Sequence, residues 1–141
     1  LDERRADSAA RRKMLDAELE LAQQGLIDPE NQSMWFYHQF LMSTLSPVNP
    51  RHASMVLDLE SHDRLRYYES EIGKIKEMLE DFEDCKWIYQ ALLRYTTQCL
   101  GIDASSKVAT IEEMRHWLDE LQRLDPLRSG RWNDLKSNLG L

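Results

Sequence analysis

Glycine and proline are scarce in this chain, at five and four of 141 residues. Few tight turns can be built from so little turn chemistry, so the elements it does form should be long. Long apolar runs are missing too. Nothing reads as a transmembrane span, a signal peptide or a lipidation motif, and no membrane insertion is expected. Cysteine occurs twice, as Cys85 and Cys99. On one helix they would lie about 21 Å apart at ~1.5 Å per residue, whereas a disulfide needs Cα atoms within about 7 Å. They read as small buried apolar residues of a reducing, cytoplasmic compartment.

Positive charge is in short supply: 18 Lys and Arg face 25 Asp and Glu, for a net charge of −7. No basic stripe is available to neutralise phosphates, which excludes nucleic acid as a partner. The four histidines, His38, His52, His62 and His116, have no second His or Cys at zinc-ligand spacing. No glycine-rich phosphate loop or nucleophile elbow is present. No catalytic, cofactor-binding or metal-binding residue is assigned on these grounds. The chain starts at Leu1 without an initiator methionine, inside a charged helix-forming run, and reads as a piece of a longer protein.

What the sequence has is helical periodicity. Apolar residues make up 42% and charged residues 30%, a balance that suits one globular domain over 1–141. Leu15, Leu19, Ala22 and Leu26 predict a first helix from about 7 to 24, with Gly25 just past its end. Asp28-Pro29 should open a second helix through Trp35 to Leu45, the Asp as cap and the Pro in the first turn. Residues 46–60, with Pro47 and Asn49-Pro50, form an irregular connection. A third helix, capped by Ser61 or Asp63, carries Leu65, Tyr68, Ile72, Ile75 and Leu79. A fourth holds Trp87, Ile88, Ala91, Leu92, Tyr95 and Cys99 and should end at Gly101. Thr110-Ile111-Glu112-Glu113 is a capping box for a fifth, with Met114, Trp117, Leu118, Leu121 and Leu124. Asp125-Pro126 should begin a sixth through Trp132, Leu135 and Leu139. No segment alternates convincingly enough for a strand. The fold class is all-α, with six helices in three hairpins over approximately 1–45, 61–100 and 110–139.

The hairpins repeat. Seven residues before Trp35, Trp87 and Trp132 stand Asp28, Glu80 and Asp125; eight before stand Ile27, Leu79 and Leu124. The apolar residue would close the first helix, the acid cap the second, and the indole fill the space between them. Hairpins that cannot bury their stripes alone must stack, which predicts a right-handed, tetratricopeptide-like αα-superhelix. Asn31-Gln32-Ser33 also fits a glycosylation acceptor. Its place in the first turn of a helix bearing a core Trp35 argues instead for a backbone hydrogen bond from Asn31 at the hairpin corner.

Asn31-Gln32-Ser33-Met34-Trp35 matches the N-x-[S/T]-x-W core of the protein prenyltransferase α-subunit repeat. The stretch "DPENQSMWFYHQFL" resembles that repeat in the α subunits of the Rab, or type II, geranylgeranyltransferases. The resemblance continues through "EIGKIKEMLEDFEDCKWIYQALL" and "WLDELQRLDPLRSGRWNDLKSNL". Three positions depart from the family pattern: Glu83 and Arg128 replace the Asn four before the Trp, and His38 replaces an Arg three after it. The resemblance implies a C-terminal part of an α subunit, compact and fungal-type, since animal relatives insert a β-sandwich where 46–60 lies. It implies a scaffold that wraps a prenyltransferase β subunit, with the zinc and the isoprenoid pocket in that partner. The complex transfers geranylgeranyl from its diphosphate to C-terminal cysteines of Rab GTPases delivered by a Rab escort protein, and this chain alone would be inactive.

The second helices would then face the β subunit, with Gln32, Tyr37 and His38 as candidate contacts. Arg12, Asp16, Lys74 and Glu77, on the first helices, are candidates for the escort protein. The alternative is a free-standing tetratricopeptide-like adaptor, which predicts a period near 34 residues; the spacings here are 52 and 45. A self-sufficient small enzyme would need a convergent polar site. An uncovered apolar face near Leu15 and Leu19 is expected to drive self-association.

Overall fold

The structure is a computed structural model. It describes residues 2–45 and 60–141, with side chains from residue 9 onwards in the first segment. Among the described residues, six α-helices and one short 3-10 turn make up the secondary structure and no strand occurs. The architecture is all-α and built of helical hairpins, as the periodicity predicts. The irregular connection expected at 46–60 lies, except for Glu60, outside the described residues, as does His52. The chain divides into two compact units, 1–64 and 65–141.

In the first unit, α1 (Asp2–Gly25) pairs with α2 (Gln32–Ser43). Leu15, Leu19, Ala22 and Leu26 recur every three or four residues and so form one stripe, and all four are buried. Trp35, Leu41, Met42 and Leu45 supply the other side of that core. Each leucine so buried is worth roughly 1.5–3 kcal/mol. Leu15 and Leu19 are therefore not the uncovered face that the sequence predicts, because α2 covers them. Arg12 Nη2 donates to Asp63 Oδ2 at 2.9 Å, and Arg64 Nη1 to the Leu45 carbonyl at 2.6 Å. Gly25 is the last residue of α1 and has no positive φ. Its reason is space: a Cβ there would stand 2.2 Å from Met34 Cε, so α1 can end close against α2.

In the second unit, α3 (Ser61–Met78, entering from its first turn), α4 (Lys86–Ile102), α5 (Ile111–Leu124) and α6 (Ser129–Asn138) surround one core. Tyr68, Ile72 and Ile75 come from α3; Ile88, Leu92, Tyr95 and Cys99 from α4; Met114, Trp117, Leu118 and Leu121 from α5; Trp132 from α6. Gly101 lies inside α4, which runs one residue further, so it does not stop the helix. Glu71 is 2% exposed and bonded to Lys74 Nζ at 3.2 Å. Burial pushes the nearby Tyr95 phenol well up.

Lys76 ties α3 to the start of α5. Its Nζ donates to the Val108 carbonyl at 2.6 Å, meets Glu113 Oε2 at 2.9 Å and lies 5.7 Å from the centre of the Trp117 ring. Thr110 and Glu113 form the capping box: Thr110 Oγ1 accepts from the Glu113 N–H at 3.1 Å, and Glu113 Oε1 accepts from the Thr110 N–H at 3.0 Å. Partial burial raises the Glu113 pKa, but the bonds from Lys76 and Thr110 outweigh it and hold the carboxyl below its ordinary value of 4.5.

A depressed carboxyl stabilises the fold above its unfolded pKa, and that share is lost as pH falls through the folded value. Glu113→Gln keeps a capping acceptor but removes the charge. It is expected to lower stability by about 0.5 kcal/mol at pH 7, given its partial exposure. That difference should shrink as pH falls through the depressed folded value and vanish only below it. Thr110→Ala should cost about 1 kcal/mol at either pH. Urea unfolding of the three proteins at pH 7 and at low pH checks both statements.

Candidate functional site

The repeated feature is the way each second helix begins. Asp28-Pro29-Glu30 forms a turn, closed by the Glu30 N–H donating to Asp28 Oδ1 at 3.2 Å. Asn31 is the cap of α2, its Oδ1 accepting from the Met34 N–H at 3.4 Å. Trp35, four residues on, is buried, and its Nε1 donates back to the Pro29 carbonyl at 2.7 Å. At α6 the 3-10 turn Pro126–Arg128 comes first, Arg128 occupies the cap position, and Trp132 Nε1 donates to the Asp125 carbonyl at 3.2 Å. At α4 the cap position is Cys85, and Tyr89 Oη donates to the Glu83 carbonyl at 2.5 Å.

The aromatic peg thus stands four residues after the cap each time: Trp35, Tyr89 and Trp132. Trp87 is not the equivalent of the other two. It is half-buried, with Lys86 Nζ 5.1 Å from its ring centre, and Tyr89 fills the position two residues later. A helix turns about 200° over two residues, so Trp87 and Tyr89 cannot share a face. The acids do not cap the second helices either. Asp28 stays in the turn. Asp125 is the C-cap of α5, 8% exposed, with Arg128 Nε 3.6 Å from its carboxylate. Glu80 is exposed in the turn after α3. Of the apolar residues placed before the acids, Ile27 is 79% exposed, while Leu79 and Leu124 are half-buried. Leu26 closes the first hairpin instead. The signal that could have found Tyr89 was the cap-to-aromatic interval rather than the residue type.

The candidate partner residues separate. Gln32 is exposed at the start of α2. Tyr37 is half-buried and its hydroxyl donates to Glu18, whose carboxylate, together with burial, raises the phenol pKa. His38 is fully buried, edge-on to Trp35 with ring centres 6.4 Å apart, so it is a core residue and not a surface contact. It follows Trp35 by three residues and therefore shares its face. Arg12 is held by Asp63, and Lys74 by Glu71. Asp16 and Glu77 are exposed.

Two concavities lie in the second unit. A groove of about 410 Å³ runs between α4 and α6, with Leu93, Leu121, Trp132 and Leu135 along it and Arg94 and Arg131 at its rim. A second, more polar hollow of about 430 Å³ includes Tyr89, His116, Asp84, Glu120 and Arg123. Arg123 bridges two of its carboxylates: its Nη2 bonds Glu120 Oε2 and Asp84 Oδ1, each at 2.6 Å, which raises the guanidinium pKa further. Among the described residues, no group of three or more His, Cys, Asp or Glu could hold a metal ion. Nor is any helix among these residues long and apolar enough to cross a membrane.

The fold and its helix starts define a helical-hairpin repeat protein. No family model matches the chain. The chain is similar to the geranylgeranyl transferase type-2 subunit alpha of Schizosaccharomyces pombe, with 25% identity over 138 residues. The match covers 95% of this chain and 39% of that relative, so the chain spans about two fifths of the relative's length.

The pegs make distinct energetic demands. Trp35→Ala should cost about 3–5 kcal/mol, as truncations of large buried aromatics do. Trp87→Ala should cost less than half of that, because the ring is half in solvent. Tyr89→Phe removes one hydroxyl bond and should cost about 1 kcal/mol. Denaturant midpoints of the three variants give this ranking directly.

Proposed function

We propose that this chain is part of the α subunit of a type-2 geranylgeranyl transferase. It forms the last helical hairpins of a compact, fungal-type subunit and acts as a non-catalytic scaffold. Its partner is a prenyltransferase β subunit, which holds the zinc and the isoprenoid pocket. Through an escort protein, the complex would transfer geranylgeranyl to C-terminal cysteines of Rab GTPases. The site of action would be the cytoplasm.

The observation that carries this proposal is the similarity along nearly the whole chain to the α subunit of the S. pombe enzyme. It is joined by the Asn31–Trp35 pair, which has the family's cap-to-indole spacing with both ends bonded to backbone. Within this scheme Gln32 is the candidate β-subunit contact left at the surface of α2. Asp16, Lys74 and Glu77, with the bridged Arg12, remain candidates for the escort protein. A free-standing adaptor would not require the similarity to run through all three hairpins.

Co-expression with a type-2 β subunit tests the proposal. The chain is expected to co-purify with the β subunit, and Gln32→Lys, which is exposed and should leave the fold intact, to lower the yield of complex several-fold. A β subunit that is soluble yet never captured by the folded chain would count against it.

A further inference from the structure

We infer that the groove between α4 and α6 is a docking site for a short extended segment of a partner protein in which acidic and apolar side chains alternate. Its floor is apolar: Leu93, Leu121 and Trp132 are buried beneath it, and Leu135 is half-buried at its wall. A volume of about 410 Å³ has room for a few side chains and falls within the ~300–1,000 Å³ of ligand clefts. A hairpin stacked after α6 would leave this groove open. At ~100° per residue, Arg131, Asp134, Leu135 and Asn138 fall on one side of α6, while Ser129, Asn133 and Ser137 fall on the other. The first side lines the groove and is turned to α4. Each hairpin of a stack touches only its neighbours, so a following hairpin would take the second side.

The rim carries the opposite sign to the chain. Arg94 on α4 and Arg131 on α6 are both exposed and face one lining carboxylate, Asp134, whereas the whole chain has a net charge of −7. Arg12, Arg64, Arg123 and Arg128 are each held by an oxygen within the chain. Arg94 and Arg131 make no ion pair among the described residues, and Arg131 lies over the Trp132 ring, 5.5 Å from its centre. Guanidiniums above an apolar floor fit carboxylates, which they bind through paired N–H groups. A polyanion such as nucleic acid is repelled by the rest of the chain, so separate carboxylates on a peptide are the better match.

The α4 wall offers a row of partners to a peptide backbone. Gln90, Arg94 and Gln98 recur every four residues along the groove. Gln90 Nε2 and Gln98 Oε1 are buried and have no hydrogen-bond partner among the described residues. An amide left so costs free energy, which a peptide carbonyl and a peptide N–H recover once each side chain turns toward the groove. At ~1.5 Å per residue the two glutamines stand about 12 Å apart, the length of about four residues of extended chain. In such a segment successive side chains point to opposite faces, the apolar ones to the floor and the acids to the rim.

Titration of the isotope-labelled 141-residue chain with the synthetic peptide SDLELS, followed by NMR, tests the inference. Saturable shifts are expected in the side-chain amide signals of Gln90 and Gln98 and in the indole N–H of Trp132. The peptides SNLQLS and SDAEAS, which lack the acids and the leucines respectively, should each bind about fivefold or more weakly. Arg94→Glu and Arg131→Glu should each weaken SDLELS about fivefold or more, and the double variant should prefer SKLKLS. Arg115→Glu, the same charge change at an exposed site off the groove, should leave binding within about twofold. Far-UV circular dichroism shows whether each variant stays helical. No saturable shift, shifts confined to another face, equal binding of SNLQLS, or an equal loss with Arg115→Glu overturns the inference. So do groove shifts that grow with chain concentration in the absence of peptide, which make a second copy the occupant.

Discussion

Every second helix in this protein starts from an aromatic ring whose hydrogen-bond donor is returned to a carbonyl of the turn just behind it. Two physical problems meet there. Carbonyls of the turn between the two helices need partners, and an indole or phenol cannot be buried cheaply with its donor unpaired. One bond answers both. Trp35 to Pro29, Tyr89 to Glu83 and Trp132 to Asp125 each fix the turn against the helix that follows. The cap four residues before the ring is then determined, and with it the face that the second helix turns inward. Cap chemistry varies freely around this constant. Asn31 accepts a backbone N–H, whereas Cys85 and Arg128 make no side-chain cap bond.

That freedom explains what could be read in the sequence and what could not. The helices themselves were legible, because stripes such as Tyr68–Ile72–Ile75 and Met114–Trp117–Leu121 have the 3.6-residue period and are buried as it requires. The Thr110 capping box was legible because both of its partners are local. The register of the second hairpin was not. Aligning on tryptophan favours Trp87, the more conspicuous residue, yet a phenol two positions later does the same physical work. The acids misled for a related reason: Asp28 before Pro29 looks like a helix start, while the turn it makes delays the helix to Gln32. The resemblance offers His38 as a partner contact, but its spacing from Trp35 puts it inside.

The interactions on the surface bear on how partners could bind. Several of the charged side chains are paired within the chain: Arg12 with Asp63, Lys76 with Glu113, Arg123 with Asp84 and Glu120. What these pairs leave for association includes apolar surface, namely Met14 and Leu21 on α1 and the groove between α4 and α6. A face of this kind gains by being covered, since apolar area removed from water is favourable without precise charge matching.

The shifts in acidity point the same way. Burial pushes the Cys99 thiol up despite a contact with Ser106 Oγ at 3.6 Å, and Tyr89 and Tyr95 are raised chiefly by burial too. A nucleophile needs the reverse, a pKa brought down so that the reactive anion is present near neutral pH. Here the thiol and the phenols are held in their neutral forms by the same packing that builds the core. Tyr89 is the clearest case: its proton is what bonds the Glu83 carbonyl, so a raised pKa keeps the hairpin pinned. For these three groups the perturbation follows from the packing that holds the helices together.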